Sequence, residues 1–202
     1  MLTSMNPGAG KTFTTINLAA SLALAKKRVV IVDLDIRKES LSKLIPNTGG
    51  GHTTGVTHFL SGKVDNIDDI IIKDVFCEGL DAIKAGPVPP NPSELLLSEQ
   101  LDALMNELRK RYDYIIVDNV PATAVADAVI VNRVADLTIY IARAGNMDKR
   151  QLPELERLYH ANKFNNLCLI LNGTDYHHGY GYGYGYGYGY GYGNDDEKKK
   201  KK

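Results

Sequence analysis

The stretch Ser4-Met5-Asn6-Pro7-Gly8-Ala9-Gly10-Lys11-Thr12 combines glycines, a lysine and a hydroxyl at spacings suited to holding phosphate. Gly8 and Gly10 lack a Cβ, so their backbone N–H groups can turn inward and form a nest for anionic oxygens. Lys11 then reaches the β- and γ-phosphates as a point charge, and the Thr12 hydroxyl is placed to ligate Mg²⁺. A helix expected from Lys11 to about Lys26 adds the positive end of its dipole. Met5 stands where the general pattern has its first glycine. A glycine turn feeding a helix is the simpler alternative, and Gly10-Lys11-Thr12 argues against it.

Two carboxylate motifs follow. Val30-Ile31-Val32-Asp33-Leu34-Asp35-Ile36-Arg37 is an apolar run ending in a pair of aspartates. Asp33 and Asp35 sit two apart, so in extended geometry both point to the same side of the chain. Like charges that close need a shared cation or proton, which Mg²⁺ or a substrate hydroxyl would supply. The plainer alternative is that Arg37 pairs with Asp35 on the surface. Tyr114-Ile115-Ile116-Val117-Asp118-Asn119-Val120-Pro121 is a second apolar run ending in a carboxylate. Such a residue holds the metal from its far side in phosphate-loop enzymes. Each run is common alone; three in order at strand ends are not.

These side chains need a scaffold of strands with their carboxyl ends together. Val29 to Asp33, Tyr114 to Asp118, Leu137 to Ala142 and Leu167 to Asn172 read as buried strands. Leu97, Leu101, Leu104 and Leu108 recur at helical spacing and share one face. Asp148 to Lys163 is a further helix, with Pro153 tolerable near its start. Residues 47 to 66 read as a loop and a short helix. Strands alternating with such helices define an α/β chain with a mostly parallel sheet flanked by helices. Only Met1 to Ser4 precede the glycine loop, so the first, central strand is expected to be cut short and the chain to be a fragment of a longer protein.

Composition fits this class. The 202 residues carry 24 basic and 24 acidic groups, 44% hydrophobic residues, and no apolar run of the roughly 18 residues that a membrane span needs. Zero net charge argues against nucleic acid as a partner. Cys77 and Cys168 are far apart, outside metal or disulfide spacing, and read as two buried thiols in a reducing compartment. His177 and His178 read as solvated.

The composition changes near residue 174. Residues 1–173 are expected to form the phosphate-loop domain and residues 174–202 a flexible tail. Tyr180, Tyr182, Tyr184, Tyr186, Tyr188, Tyr190 and Tyr192 alternate with glycine, and Lys198 to Lys202 close the chain. Interleaved glycine favours an accessible chain over a packed strand. An aromatic low-complexity sticker is the alternative. Beside a phosphate-transfer site, a row of phenols reads as that site's own substrate.

On these motifs the chain resembles the bacterial tyrosine kinases, whose phosphate-loop fold is unrelated to eukaryotic protein kinases. The glycine loop with Pro7, Asp33-x-Asp35-x-Arg37 and Asp118-x-x-Pro121 are similar to that family's three nucleotide motifs. Gly86-Pro87-Val88-Pro89-Pro90-Asn91-Pro92-Ser93-Glu94-Leu95-Leu96 and Leu171-Asn172-Gly173 resemble further family stretches. The resemblance implies ATP and Mg²⁺ as cofactors, with Pro7, Gly8, Ala9, Gly10, Lys11 and Thr12 around the phosphates and Asn172 near the adenine. It implies Lys11, Asp33, Asp35 and Asp118 as catalytic residues, with Asp33 accepting the tyrosine proton and Thr12, Asp35 and Asp118 around the metal.

It further implies autophosphorylation of the tail between subunits of a ring-like homo-oligomer, in control of capsular or exopolysaccharide synthesis. A transmembrane activator, a cognate phosphatase and a place at the cytoplasmic face of the membrane come with it. Two rivals stand beside this reading. One is a partitioning or cell-division ATPase of the same fold, although those carry a second lysine where Asn6 stands. The other is a non-catalytic fragment.

Overall fold

The computed structural model describes residues 1–45, 54–122 and 126–174. Its centre is a seven-stranded sheet of β1 (Leu2–Ser4), β2 (Val29–Asp33), β3 (Ile71–Ile72), β4 (Leu80–Ile83), β5 (Tyr114–Asp118), β6 (Thr138–Arg143) and β7 (Leu167–Asn172). Strand order is β3-β4-β2-β5-β1-β6-β7, and every pair is parallel except β3 with β4. The helices are α1 (Lys11–Leu24), α2 (Val56–Leu60), α3 (Pro92–Leu97), α4 (Glu99–Arg111), α5 (Asp127–Asn132) and α6 (Leu152–His160).

Strand β2 shows why the run Val29-Val30-Ile31-Val32 has no polar alternation. Val30 and Val32 face the core that holds Leu101, Leu104 and Leu108 of α4, while Val29 and Ile31 face the one that holds Ala19 and Ala23 of α1. A strand covered on both faces is apolar throughout. Helix α4 carries Glu99 and Asp102 in its first turn and Arg109, Lys110 and Arg111 in its last, matching its dipole at both ends. Among the described residues no helix is long and apolar enough to cross a membrane.

The structure corrects several expectations. The leucine stripe breaks after Leu97, because Ser98 is extended and caps α3 by donating its hydroxyl to the Leu95 carbonyl at 2.7 Å. Leu97 is therefore exposed, and the buried face of α4 is Leu101, Leu104, Met105 and Leu108. The segment Asp148 to Lys163 is a short 3-10 turn, Lys149–Gln151, followed by α6, with no buried residue in either. Cys168 is exposed on the outer strand β7 and Cys77 is half-buried, so the two thiols are not core residues. Strands β3 and β4 lie in a stretch with no expected strand. Arg37 pairs with Asp127 at 2.6 Å, on α5, and not with Asp35.

Strand β1 is central and short, as expected. On one side β5 pairs with β2 residue by residue from Tyr114 to Asp118, whereas towards β1 the register holds only Leu2 against Asp118. Below Met1 lies a cavity of about 620 Å³ lined by Leu22, Met105, Tyr112, Ile115, Val134 and their neighbours. The Met1 ammonium donates to the Leu137 carbonyl at 2.6 Å, and burial lowers its pKa to about 6.

Candidate active site

The phosphate loop runs from the end of β1 into α1. Gly8 and Gly10 both have positive φ, at 75° and 96°. Gly10 occupies the cap position of α1 without a side-chain cap, which leaves the first-turn N–H groups for an anion. A Cβ at Gly10 would meet the Asn172 amide nitrogen, the movable end of a side chain, so it is the positive φ that calls for glycine. The loop is held from outside by the ends of β6 and β7. Arg143 donates to the Gly8 carbonyl at 3.0 Å, and Asn172 to the Ala9 carbonyl at 2.9 Å. Asn6 donates to the Gln151 side chain at 3.0 Å and to the Asn146 carbonyl at 3.2 Å. Met5 is buried and receives the Tyr140 hydroxyl at 3.5 Å.

Across from the loop, β2 and β5 end side by side, with Asp33 in register with Asp118. Asp33 is 0% exposed, Asp118 1% and Asp35 5%. Thr12 donates its hydroxyl to Asp118 Oδ2 at 2.7 Å, and Thr15 reaches Oδ1 at 3.5 Å. Asp33 Oδ2 accepts from both the backbone N–H and the hydroxyl of Ser42, at 2.8 and 2.6 Å. Asp33 Oδ1 accepts from the Asp35 N–H at 3.1 Å, and Asp35 accepts from the Lys38 N–H at 3.1 Å.

Desolvation governs the electrostatics. Burial raises the Asp33 pKa to about 7, outweighing the hydrogen bonds from Ser42, and the Asp118 charge adds to the rise. Asp118 is likewise pushed up to about 6 by burial, against the Thr12 hydrogen bond and the Lys11 charge. Burial lowers the Lys11 pKa, and Asp118 and Asp35 oppose that shift. A magnesium nucleotide fits these residues. The uncapped helix start takes phosphate, and the Thr12–Asp118 pair offers a hydroxyl and a carboxylate to a hard cation. Among the described residues no three His, Cys, Asp or Glu side chains are grouped as metal ligands. Mg²⁺ is commonly held by one or two carboxylates together with substrate phosphates.

Lys11 and Thr12 at the start of α1 stand with Asp33, Asp35 and Asp118 at the ends of β2 and β5. Asn172 stands against the phosphate loop itself. The tail tyrosines Tyr180 to Tyr192 lie outside the described residues. Sequence reasoning missed Arg143, Asn146 and Gln151, which reach the loop from residues more than 130 positions away. It also missed the triad in which Ser93 donates to Asp127 at 2.7 Å and Arg37 donates to both. The serine lay in a quoted stretch, but Asp127 gave no local signal.

A glycine loop opening a helix, with carboxylates at the ends of adjacent parallel strands, defines a phosphate-loop nucleotide-binding domain. The family model described as an AAA domain matches residues 2–146. The tyrosine-protein kinase CpsD of Streptococcus pneumoniae is 36% identical over 156 residues, 77% of this chain and 67% of that protein. The tyrosine-protein kinase wzc of Salmonella typhimurium is 40% identical over 143 residues, 71% of this chain but 19% of that protein. The kinase domain of the Escherichia coli tyrosine kinase ETK superposes with a TM-score of 0.77 at 33% identity, covering 92% of this chain and 71% of that one.

The chain belongs to the bacterial tyrosine-protein kinase family. It spans under a quarter of the length of the Klebsiella pneumoniae and Salmonella typhimurium relatives. A cobyrinic acid a,c-diamide synthase from Mycobacterium smegmatis, solved with an ATP analogue and magnesium, shares the fold alone at 20% identity and a TM-score of 0.66.

Gly10→Ala should strain the loop and push Asn172 aside, weakening Mg²⁺–ATP binding at least tenfold by calorimetric titration. A second expectation concerns pH. Between the ordinary Asp value of 3.8 and about 7, folded Asp33 keeps a proton that the unfolded chain has released. Stability should therefore fall as pH rises across that window. Urea midpoints measured at pH 5 and pH 8 should drop less in Asp33→Asn than in the wild type.

Proposed function

We propose that this chain is an ATP-dependent protein-tyrosine kinase that phosphorylates its own C-terminal tyrosine row, from Tyr180 to Tyr192. The observation that supports the reading is Lys11 facing Asp118 and Asp35, with the Thr12–Asp118 pair in register with buried Asp33, within a family of tyrosine kinases. Mg²⁺–ATP supplies the phosphoryl group and much of the charge neutralisation. The loop from Pro7 to Gly10 cradles the phosphates, with Asn172 bracing that loop beside the nucleotide. Lys11 binds the transferring phosphoryl oxygens. Thr12 and Asp118 hold the metal, with Asp35 beside them. Asp33 takes the phenol proton, and a carboxyl with a pKa near 7 suits a base working at neutral pH. Catalysis is then positioning and electrostatics.

The names of the relatives support a reading of the setting. CpsD and wzc are named as tyrosine-protein kinases, and another relative is named for its place in a cps region. We infer control of capsular or exopolysaccharide synthesis at the cytoplasmic face of the membrane. The inferred partners are a transmembrane activator, a phosphatase and further copies of the chain in a ring, with transfer between subunits. The net charge of zero gives no pull towards nucleic acid.

Lys11→Met should abolish tail phosphotyrosine, read by mass spectrometry, with urea unfolding unchanged. Undiminished phosphotyrosine, with contaminating kinases removed, would refute the assignment. Asp33→Asn should lower turnover with little loss of Mg²⁺–ATP affinity, whereas Asp118→Asn should weaken Mg²⁺-dependent binding. Equal losses of affinity in both would show that the two carboxylates do not divide the work.

A further inference from the structure

Strand β7 and helix α6 leave an apolar surface open at the end of the sheet. Among the described residues β7 has β6 on one side and no strand on the other. Its Leu169 and Leu171 are 54% and 60% exposed, and Leu152 and Tyr159 of α6 are 50% and 59% exposed. Leu167, Leu169 and Leu171 share one face of the strand. Leu167 packs with Leu158 of α6 against one core, so α6 lies on that face. A groove of about 420 Å³ lies between them, lined by Leu152, Leu155, Glu156 and Tyr159 on one side and by Leu167 to Leu169 on the other. An open strand edge beside an apolar groove suits an added strand. The edge supplies main-chain hydrogen bonds and the groove takes alternate side chains.

We propose that this surface receives the chain's own tyrosine-glycine row, residues 179–193, as an added strand antiparallel to β7. Those residues lie outside the described ones, and two features of the sequence fit them to the surface. The first is attachment. Gly173 follows β7 directly with φ at 67°, which opens a turn, and residues 173–179 suffice to reverse the chain. A tether that short holds the row at about millimolar effective concentration, which a second copy at about micromolar concentration does not match. The second is period. Tyr180 to Tyr192 stand at every second position, so an extended stretch turns its phenols to one face. That face fills the α6 groove while glycine leaves the opposite face bare. The six residues of β7 meet a partner of equal length, half of it tyrosine, and the uniform repeat makes several registers equivalent.

Phosphorylation then ends the docking, a consequence that rests on the kinase reading above. Each phosphotyrosine brings about −1.5 to −2 charges at neutral pH. The groove offers it leucine side chains and the Glu156 carboxylate. The row is therefore held while unmodified and freed as it is modified.

Hydrogen–deuterium exchange of the full chain, read on β7, tests the docking. Tyr180→Ser, with the same change at Tyr182, Tyr184, Tyr186, Tyr188, Tyr190 and Tyr192, keeps the length and the glycines. The outer-edge amides of β7 should then exchange about threefold faster or more than in the wild type. Leu152→Glu, at an exposed position outside the strand, should produce the same rise. Dilution of the wild type should leave its protection unchanged. Equal exchange in the wild type and the serine variant overturns the proposal. Protection that fades on dilution assigns the surface to a second copy and overturns it too. Incubation with Mg²⁺–ATP should remove the protection in the wild type and not in Lys11→Met. Protection that persists on a chain carrying several phosphates defeats the release. If the wild type makes no phosphotyrosine the kinase reading fails, and the serine variant still decides the docking.

Discussion

Two aspartates in register at the ends of neighbouring parallel strands are the constraint around which the site is arranged. Adjacent strands lie about 4.8 Å apart. Two unit charges at that spacing repel by about 3–4 kcal/mol at an effective dielectric of 20. Asp33 and Asp118 are both buried there, which adds a desolvation cost to the repulsion. The fold answers with different partners for each. Asp118 receives two threonine hydroxyls from α1 and the nearby charge of Lys11, while Asp33 receives only neutral donors from Ser42 and the Asp35 backbone. Burial raises both carboxyls above the ordinary range, and the Lys11 charge opposes that rise at Asp118. Two aspartates in register thus sit in different surroundings, one beside a cation and one among neutral donors.

The phosphate loop depends on the other half of the sheet. Its glycines give the backbone freedom to bend, and freedom alone does not hold a nest open. Arg143, Asn146, Gln151 and Asn172 supply that hold, tying loop carbonyls and the Asn6 side chain to β6, β7 and the turn between them. Gln151 is doubly used, since its side chain also closes the cap of the 3-10 turn by accepting from the Asp148 N–H at 3.1 Å. The outer strand β7, with Leu169 and Leu171 exposed, contributes little core but places Asn172 against Gly10.

What the sequence disclosed was local in origin. The strands β2 and β5 end where their apolar runs end, at the aspartates that meet the site. Leu167 to Asn172 reads as a buried strand by the same rule, yet β7 is largely exposed because it is the last strand of the sheet. Lys11 and Thr12 were legible because phosphate loops need those residue types at fixed spacing, and Asp118 because it closes an apolar run at a strand end. The contacts that stayed hidden span the chain. A surface pair of Arg37 with Asp35 was the plainer alternative at that motif, yet Arg37 reaches Asp127 and Ser93 through tertiary packing that no short window contains. Strand β3, two residues long, and β4, four residues long, carry too little periodicity to announce a strand. The exposure of Cys168 follows from β7 being the last strand of the sheet, a fact of topology and not of composition.

Asn6 shows how the loop separates this chain from the partitioning ATPases that share its fold. Those proteins carry a second lysine at this place, a charge able to reach the phosphates. Here the side chain is neutral and already engaged, donating to Gln151 and Asn146 and accepting from the Gln151 amide at 3.3 Å. An amide committed to both roles has no proton left to turn toward a phosphate without giving up its place in the clamp. Lys11 is the lysine that the loop presents to the site, its charge facing Asp118 and Asp35.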